Sequence, residues 1–353
     1  MQITRAEVVP VEMTLRHAVQ TALHPPIDRV TAVFVRIETQ QGQNAWGCAV
    51  AHPDLTGEKP EDVIRACRAC ADRAPDLHPT NIEYSLNELV PLVSETPSAL
   101  CAFDLAFHDL LGLAAEMPLH RLLGGYRNRI QTSVVIGVAP VKETVEVARA
   151  RARQGFRMLK IKGGLDPEAD VQRVHAVHRA LPGLTVRLDG DEGYTVEQAL
   201  DVARALEGKL EMLEQPTPAD DVEALRQVTR NSPIPILASQ SVKSPSAALS
   251  LASQRAADGM SVKVAACGGL HCARQVDTIA RAAQMSTMVG SLIEPALLVS
   301  AGLSLALSSP NVRYGDLDGH LDLANDPTIP GFTLQDGWLV ARDVPGLGCS
   351  VEL

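Results

Sequence analysis

One feature constrains this chain more than any other: a repeat inside it. From about residue 132, short β-branched runs return at a step of about 25 residues, near the length of one strand–helix unit. They begin near Thr132 (TSVVIG), Met158 (MLKIKG), Thr185 (TVRLDG), Leu210 (LEMLEQ), Pro235 (PILASQ), Met260 (MSVKVA), Ser286 (STMVGS) and Val312 (VRYGDLD). The segments between them, such as VKETVEVARARARQG and VEQALDVARALEG, repeat apolar residues at three- and four-residue spacing, as amphipathic helices do. Eight such units predict a closed parallel (β/α) barrel of the TIM type. A doubly wound open sheet would alternate in the same way, but the even spacing and the lack of a Gly-rich fingerprint after the first strand favour the barrel.

Upstream, RVTAVFVRIETQQGQNAWGCAV reads as two strands joined by a QQGQN turn, preceded by a strand in TRAEVVPVEM. Helical patterns follow at 61–74, 82–93 and 98–115. The reading is therefore an α/β chain: an α+β capping domain over 1–127, the barrel over 128–320, and a Pro- and Gly-rich segment, 321–353, returning to the capping domain.

A formal charge of −10 with no Lys/Arg-dense stripe argues against nucleic acid or an anionic membrane as partner. No apolar run approaches the roughly 18–20 residues of a membrane span, and MQITRAEVVPVEM lacks the pattern of a secretory leader, so the expectation is a cytoplasmic protein with a small-molecule substrate. Seven scattered cysteines fit reduced thiols. Cys67 and Cys70 form a C-x-x-C within a helical pattern with no second ligand pair, and read as packing residues.

In such a barrel the reacting groups sit at the C-terminal ends of the strands. Those ends carry Lys160 and Lys162, Asp189 and Asp191, Glu214, Ser239 and Gln240, Lys263, Ser291 and Glu294, and Asp316 and Asp318. Lys160 and Lys162 share a strand face, and two adjacent ammonium groups oppose each other's protonation, so one is expected to be lowered toward the range of a general base. Lys263 lies four strands round. Two lysines on opposite sides of a bound carbon could remove a proton from one face and return it to the other. Asp189 and Glu214 end adjacent strands, where carboxylates can hold a hard divalent cation or simply pair with the lysines.

LKIKGG, RLDGDEGY, LEQP, ILASQSV, VKVAACGGL and FDLAFHDLLGLAAEMPLHRLLGG, in order and each in its place, resemble the muconate-lactonizing-enzyme subgroup of the enolase superfamily over nearly the whole chain. The resemblance implies that Lys162 and Lys263 are the acid/base pair, with Lys160 beside them, and that Asp189 and Glu214 bind Mg²⁺. It also implies that DLDG, with Asp316 and Asp318, holds a substrate ammonium group as in dipeptide epimerases; Glu294, from its place on the same rim, is read as a further substrate-binding residue. HPDLTGEK resembles the family's capping loop, and relatives assemble as dimers or octamers, which implies a homo-oligomer. The chemistry implied is α-proton removal beside a carboxylate, through an enediolate.

The chain departs from that pattern in several places. The family's A-D-E-S segment reads Ala238-Ser239-Gln240-Ser241, so Ser239 stands at the third metal ligand and weakens attraction for a divalent cation. Asp191, two residues beyond Asp189, is expected to compensate as a ligand. Cys48 stands where relatives carry the glutamate of W-G-E, so recognition by the capping domain is expected to differ. No histidine ends the seventh strand, which argues against the mandelate-racemase branch, and His271 reads as a helix-start residue. Three functions follow: a racemase or epimerase of an amino-acid derivative or dipeptide, a dehydratase or cycloisomerase using the same intermediate, or a ligand-binding member that has left metal-dependent catalysis.

Overall fold

The computed structural model describes residues 1–93 and 95–353. Eight strands, Val134–Ile136, Met158–Lys162, Thr185–Asp189, Leu213–Glu214, Ile236–Ala238, Gly259–Lys263, Ser286–Gly290 and Val312–Asp316, lie side by side in chain order. Every neighbouring pair is parallel. The ring closes where Thr132 bridges Gly315 and Ser133 N donates to Gly315 O at 3.1 Å. The strands read as short apolar runs because both their faces are buried, one by the barrel interior and one by the helices.

Helices Val141–Arg153, Pro167–Ala180, Val196–Ala205, Val222–Asn231, Pro245–Gln254, Leu270–Ala282 and Ala296–Ser308 follow the first seven strands. Their starts are written locally. Asp166 accepts from the amides of Glu168 and Ala169, Thr195 and Gln198 form a capping box, and Ser244 caps a helix that begins at Pro245. The expectation of eight complete units is corrected at the last. After Asp316 the sequence turns at Asp318-Gly319 and loses helical periodicity, so no eighth helix forms. Helix Ala296–Ser308 is buried along its whole length, as its uniformly small and apolar sequence requires.

The N-terminal unit is an antiparallel sheet of Ile3–Val19, Ile27–Thr39 and Asn44–Ala51, covered by helices Pro60–Arg73, Ile82–Leu89 and Pro97–Ala114. Helix Pro97–Ala114 lies almost on the sheet. A Cβ at Gly47 would stand 1.7 Å from Ala102 O, so this approach requires glycine. The helix expected over 82–93 stops at Leu89 and tightens into a 3₁₀ turn, Val90–Leu92, because Pro91 has no N–H to continue it. Cys67 and Cys70 are buried on helix Pro60–Arg73 as packing residues.

The C-terminal segment does two things. Its hairpin, Phe332–Gln335 with Trp338–Ala341, pairs with Arg129–Gln131, the strand that leads into the barrel. It also returns to the N-terminal unit: Ala324 N donates to Thr14 O at 2.8 Å, and Leu347 N to Asp109 Oδ1 at 2.7 Å. Among the described residues, no helix is long and apolar enough to cross a membrane.

Asp109 sits inside this junction, and burial pushes its carboxyl up to about 7 against the hydrogen bonds it receives from the backbone of Leu347 and Trp46. A folded-state pKa above the unfolded value means that Asp109 costs nothing while protonated, below about pH 4, and takes stability away as pH rises through 7. Asp109→Asn is therefore expected to raise the melting temperature at pH 8 by the equivalent of about 1–3 kcal/mol. The gain should disappear toward pH 4, as followed by thermal denaturation across that range.

Candidate active site

The strand C-termini open into a cavity of about 900 Å³, within the range of small-molecule sites. Its floor is the barrel. Its wall includes the turn after Val19 (Gln20, Thr21, Leu23, His24) and the capping loop Pro53 to Gly57. That loop is pinned at both ends. His52 Nε2, kept neutral by burial with its pKa lowered to about 4, donates to Ile293 O at 2.8 Å. Glu58 accepts from Ser98 N at 2.9 Å and Ser98 Oγ at 2.6 Å, at the start of helix Pro97–Ala114.

Lys160, Lys162 and Lys263 all line the cavity, together with Asp189, Asp191, Ser239, Gln240 and Asp318. Lys162 ends the second strand and Lys263 the sixth, so an eight-stranded ring sets them across from each other. Lys160 is buried against Asp316, Glu214 (3.2 Å) and Asp189 (3.8 Å). Lys162 Nζ donates to Asp189 Oδ2 at 2.9 Å and Asp191 Oδ1 at 3.1 Å. Lys263 Nζ donates to Ser239 Oγ at 2.6 Å and lies 4.0 Å from Glu214 Oε1.

These partners overturn one expectation. Lys160 and Lys162 do repel each other, but neither is lowered. Burial opposes their charge, and the carboxylates around each outweigh it, so both stay above the ordinary lysine value. Lys263 is the lowered one, chiefly through burial, with Lys160 and Lys162 adding repulsion against the attraction of Glu214. The site thus holds an amine biased toward neutrality facing an ammonium biased toward charge.

The aspartates of DLDG divide. Asp318 is on the cavity wall, accepts from Val135 N at 2.6 Å, and is pushed up to about 7 by burial and by Asp316. Asp316 lies behind it, bonded to Lys160 and to Ser133 Oγ, where it orients the lysine. Glu294 is buried off the cavity wall, accepts from Leu292 N at 3.2 Å, and is raised to about 8 by burial. Cys48 is also buried and outside the wall, so its thiol faces protein, not ligand. His271 opens helix Leu270–Ala282 beside Glu83.

Strand alternation, from which Asp191 was expected beside Asp189 as a compensating ligand, does not extend to it. The strand ends at Asp189, and the chain turns with φ of 49° at Asp191, which swings its carboxylate to Lys162, Gln240 Nε2 (2.9 Å) and Ala22 N (3.2 Å). Asp189 Oδ1 accepts from Asp191 N at 3.0 Å, and its Oδ2 is taken by Lys162. Glu214 Oε1 has no hydrogen-bond partner among the described residues. No three His, Cys, Asp or Glu side chains among the described residues form a group able to hold a metal ion. The donor set is two carboxylates and one neutral hydroxyl, bonded to three lysines. With one carboxylate fewer than the three of the family pattern, and both remaining ones engaged by lysines, the set fits a hard divalent cation poorly.

Sequence reasoning missed Gln215. Its Oε1 accepts from Ser239 N (2.8 Å), Ser241 N (3.2 Å) and Ser241 Oγ (2.9 Å), clamping the end of the fifth strand. It also missed Ser133, whose hydroxyl donates to Asp316 from inside the barrel, and Arg187, which donates to that same hydroxyl at 3.1 Å. LEQP displayed Gln215, but nothing local in the sequence marks Ser133 or Arg187.

The enolase C-terminal domain-like family model matches residues 143–352, and the N-terminal domain model of mandelate racemase/muconate lactonizing enzyme matches 3–124. The chain is 35% identical to the L-Lys-D/L-Arg epimerase of Methylococcus capsulatus, over 91% of this chain and 92% of that one. It superposes on the dipeptide epimerase of Enterococcus faecalis V583, crystallised with Mg and L-Leu-L-Tyr, with a TM-score of 0.96 at 30% identity, covering 99% and 100% of the two chains. The N-succinyl Arg/Lys racemase of Bacillus cereus gives 0.95 at 25% identity, covering 100% and 96%.

The donor set makes a direct prediction. Electron paramagnetic resonance titration with Mn²⁺ should show no saturable binding by this protein up to millimolar concentrations, whereas Ser239→Asp, supplying a third carboxylate, should gain it. Tight binding by the natural sequence would overturn the reading.

Proposed function

Because this chain belongs to the mandelate racemase/muconate lactonizing enzyme family of the enolase superfamily, whose curated relatives here are isomerases, we propose that it epimerises a dipeptide-like substrate at the carbon beside a carboxylate. The observation that carries this reading is the pairing across one cavity of Lys263, lowered, with Lys162, raised. Neutral Lys263 takes the α-proton and becomes an ammonium. The electron pair of the broken C–H bond moves into the substrate carboxylate, giving an enediolate. Lys162 then delivers a proton to the opposite face of the carbon and becomes the neutral amine, so the reverse reaction starts from the other base.

Lys160 supports the intermediate without exchanging a proton. Asp316, Glu214 and Asp189 keep it charged, so it presents a fixed ammonium to the cavity as negative charge grows on the carboxylate. Asp318, on the wall, is placed to receive a substrate ammonium group. A molecule with a carboxylate at one end and an ammonium several bonds away fits both, and the dipeptides on which the relatives act support that class.

The test is hydrogen exchange in D₂O with pooled dipeptides and N-succinyl amino acids, read by mass spectrometry. Deuterium should enter one α-carbon. Lys263→Ala should stop exchange of one epimer and Lys162→Ala of the other, each by about 10³-fold, while the opposite epimer continues to exchange. Binding of these ligands with no exchange by the natural protein would instead support the ligand-binding reading. For the direction begun by Lys263, kcat/KM should rise with pH as that lysine sheds its proton, with a midpoint below the roughly 10.4 of a free lysine. A rate that falls over that limb would contradict the assignment.

A further inference from the structure

Asp191 lies where three independent parts of the molecule meet. Its Oδ1 accepts from Lys162 Nζ at 3.1 Å and from Gln240 Nε2 at 2.9 Å, while Oδ2 accepts from the backbone N–H of Ala22 at 3.2 Å. It is 5% exposed. Lys162 belongs to the second barrel strand, Gln240 to the end of the fifth, and Ala22 to the turn joining the first two strands of the N-terminal unit.

The backbone is bent to make this junction. Asp191 and Glu192 both lie in the left-handed region, at φ 49° and 67°, a conformation that costs a non-glycine residue roughly 1 kcal/mol or more. Two bonds hold the bend: Asp191 N donates to Asp189 Oδ1 at 3.0 Å, and Glu192 N to Gln215 O at 2.9 Å. The turn from the N-terminal unit is seated with the same closeness. A Cβ on Gly164, itself at φ 100°, would stand 2.8 Å from Ala22 Cβ, so a glycine there leaves room for the turn to come down. Gln20, Thr21, Leu23 and His24 of that turn line the cavity.

We propose that Asp191 is a positioning residue that couples the seating of the 20–24 turn over the cavity to the orientation of Lys162. One carboxylate serves both. With Ala22 N–H on Oδ2, the carboxylate plane is fixed and Oδ1 points at the lysine; when the turn lifts, that oxygen loses its partner and the plane is free to rotate. Reciprocally, a lysine drawn toward substrate changes the grip on the turn, because coupling between two contacts runs both ways. The substrate therefore meets an aligned Lys162 when the wall around it is complete. The inference rests on the role given to Lys162 above, and its first test does not need turnover.

Hydrogen–deuterium exchange by mass spectrometry reads the turn directly. In Asp191→Asn the amide offers one acceptor oxygen for donors that now share two, so peptides containing Ala22 should exchange about tenfold faster, with the barrel peptides unchanged. Unchanged protection at Ala22 would overturn the proposal, whatever the protein's activity. The second test separates positioning from general loosening. In a Lys263→Ala background, where Lys162 alone can exchange the substrate α-proton, adding Asp191→Asn should slow exchange about tenfold when rates are compared as a function of pH and corrected for the neutral fraction of Lys162, which loss of the Asp191 charge increases. In a Lys162→Ala background, where Lys263 alone acts, it should leave the rate within twofold. Equal slowing in both would show a structural role and overturn the coupling. Ala22→Pro, which removes the N–H from the other end of the contact, should reproduce the face-specific loss, with Ala22→Gly as the control that keeps the donor.

Discussion

Everything at the mouth of this barrel depends on how buried charge is neutralised. Lys160, Lys162 and Lys263 face Asp189, Asp191, Glu214 and Asp316, and none of these seven side chains is widely open to water. Taking such groups out of water costs several kcal/mol each, and mutual attraction offsets that cost where geometry is good and remaining polar atoms are bonded. The surroundings supply those bonds. Ser133 donates to Asp316 from inside the barrel and accepts from Arg187, which is fully buried and donates to Glu211 at 2.6 Å. A barrel interior that hydrocarbon layers would ordinarily fill is here threaded by a line of charge from Glu211 to the cavity.

The same neutralisation distinguishes the two facing lysines. Lys162 has two carboxylates within hydrogen-bonding distance, whereas Lys263 has a hydroxyl, with its nearest carboxylate oxygen 4.0 Å away. Identical side chains on opposite strands are thus given opposite leanings by their partners. That asymmetry lets one begin as base and the other as acid without any titration between them.

Much of this was legible from the sequence, and the boundary has a physical cause. A repeat of about 25 residues reports the strand–helix alternation directly, and strand ends report which side chains share a rim, because both are consequences of local geometry. Lys160, Lys162, Asp189, Glu214, Ser239 and Lys263 therefore fell where the pattern put them. The direction of each pKa shift did not follow, since Lys160 and Lys162 repel as neighbours but are governed by carboxylates from other strands. Asp191 was misread because alternation was carried past the end of a strand, into a left-handed turn that no local signal marks. Asp316 and Asp318 look equivalent in DLDG, yet one faces inward to Lys160 and the other lines the cavity. The eighth helix was expected from symmetry and is absent because the sequence there has no helical period.

Ser239, Gln240 and Asp191 are best understood together. Each departs from the pattern the chain resembles, and their contacts interlock. Gln240 can approach Asp191 because an amide N–H donates to a carboxylate at 2.9 Å; a glutamate in its place would set two anions against each other in a buried setting. Ser239 accepts Lys263 at 2.6 Å as a neutral oxygen, so it orients the amine without adding the negative charge that would hold a proton on it. An aspartate there would raise Lys263 toward the behaviour of Lys162 and erase the difference between the two. The three residues thus form one solution to a single electrostatic problem: keeping Lys162 charged and Lys263 poised to lose its proton, with the protein's own groups as the counter-charges.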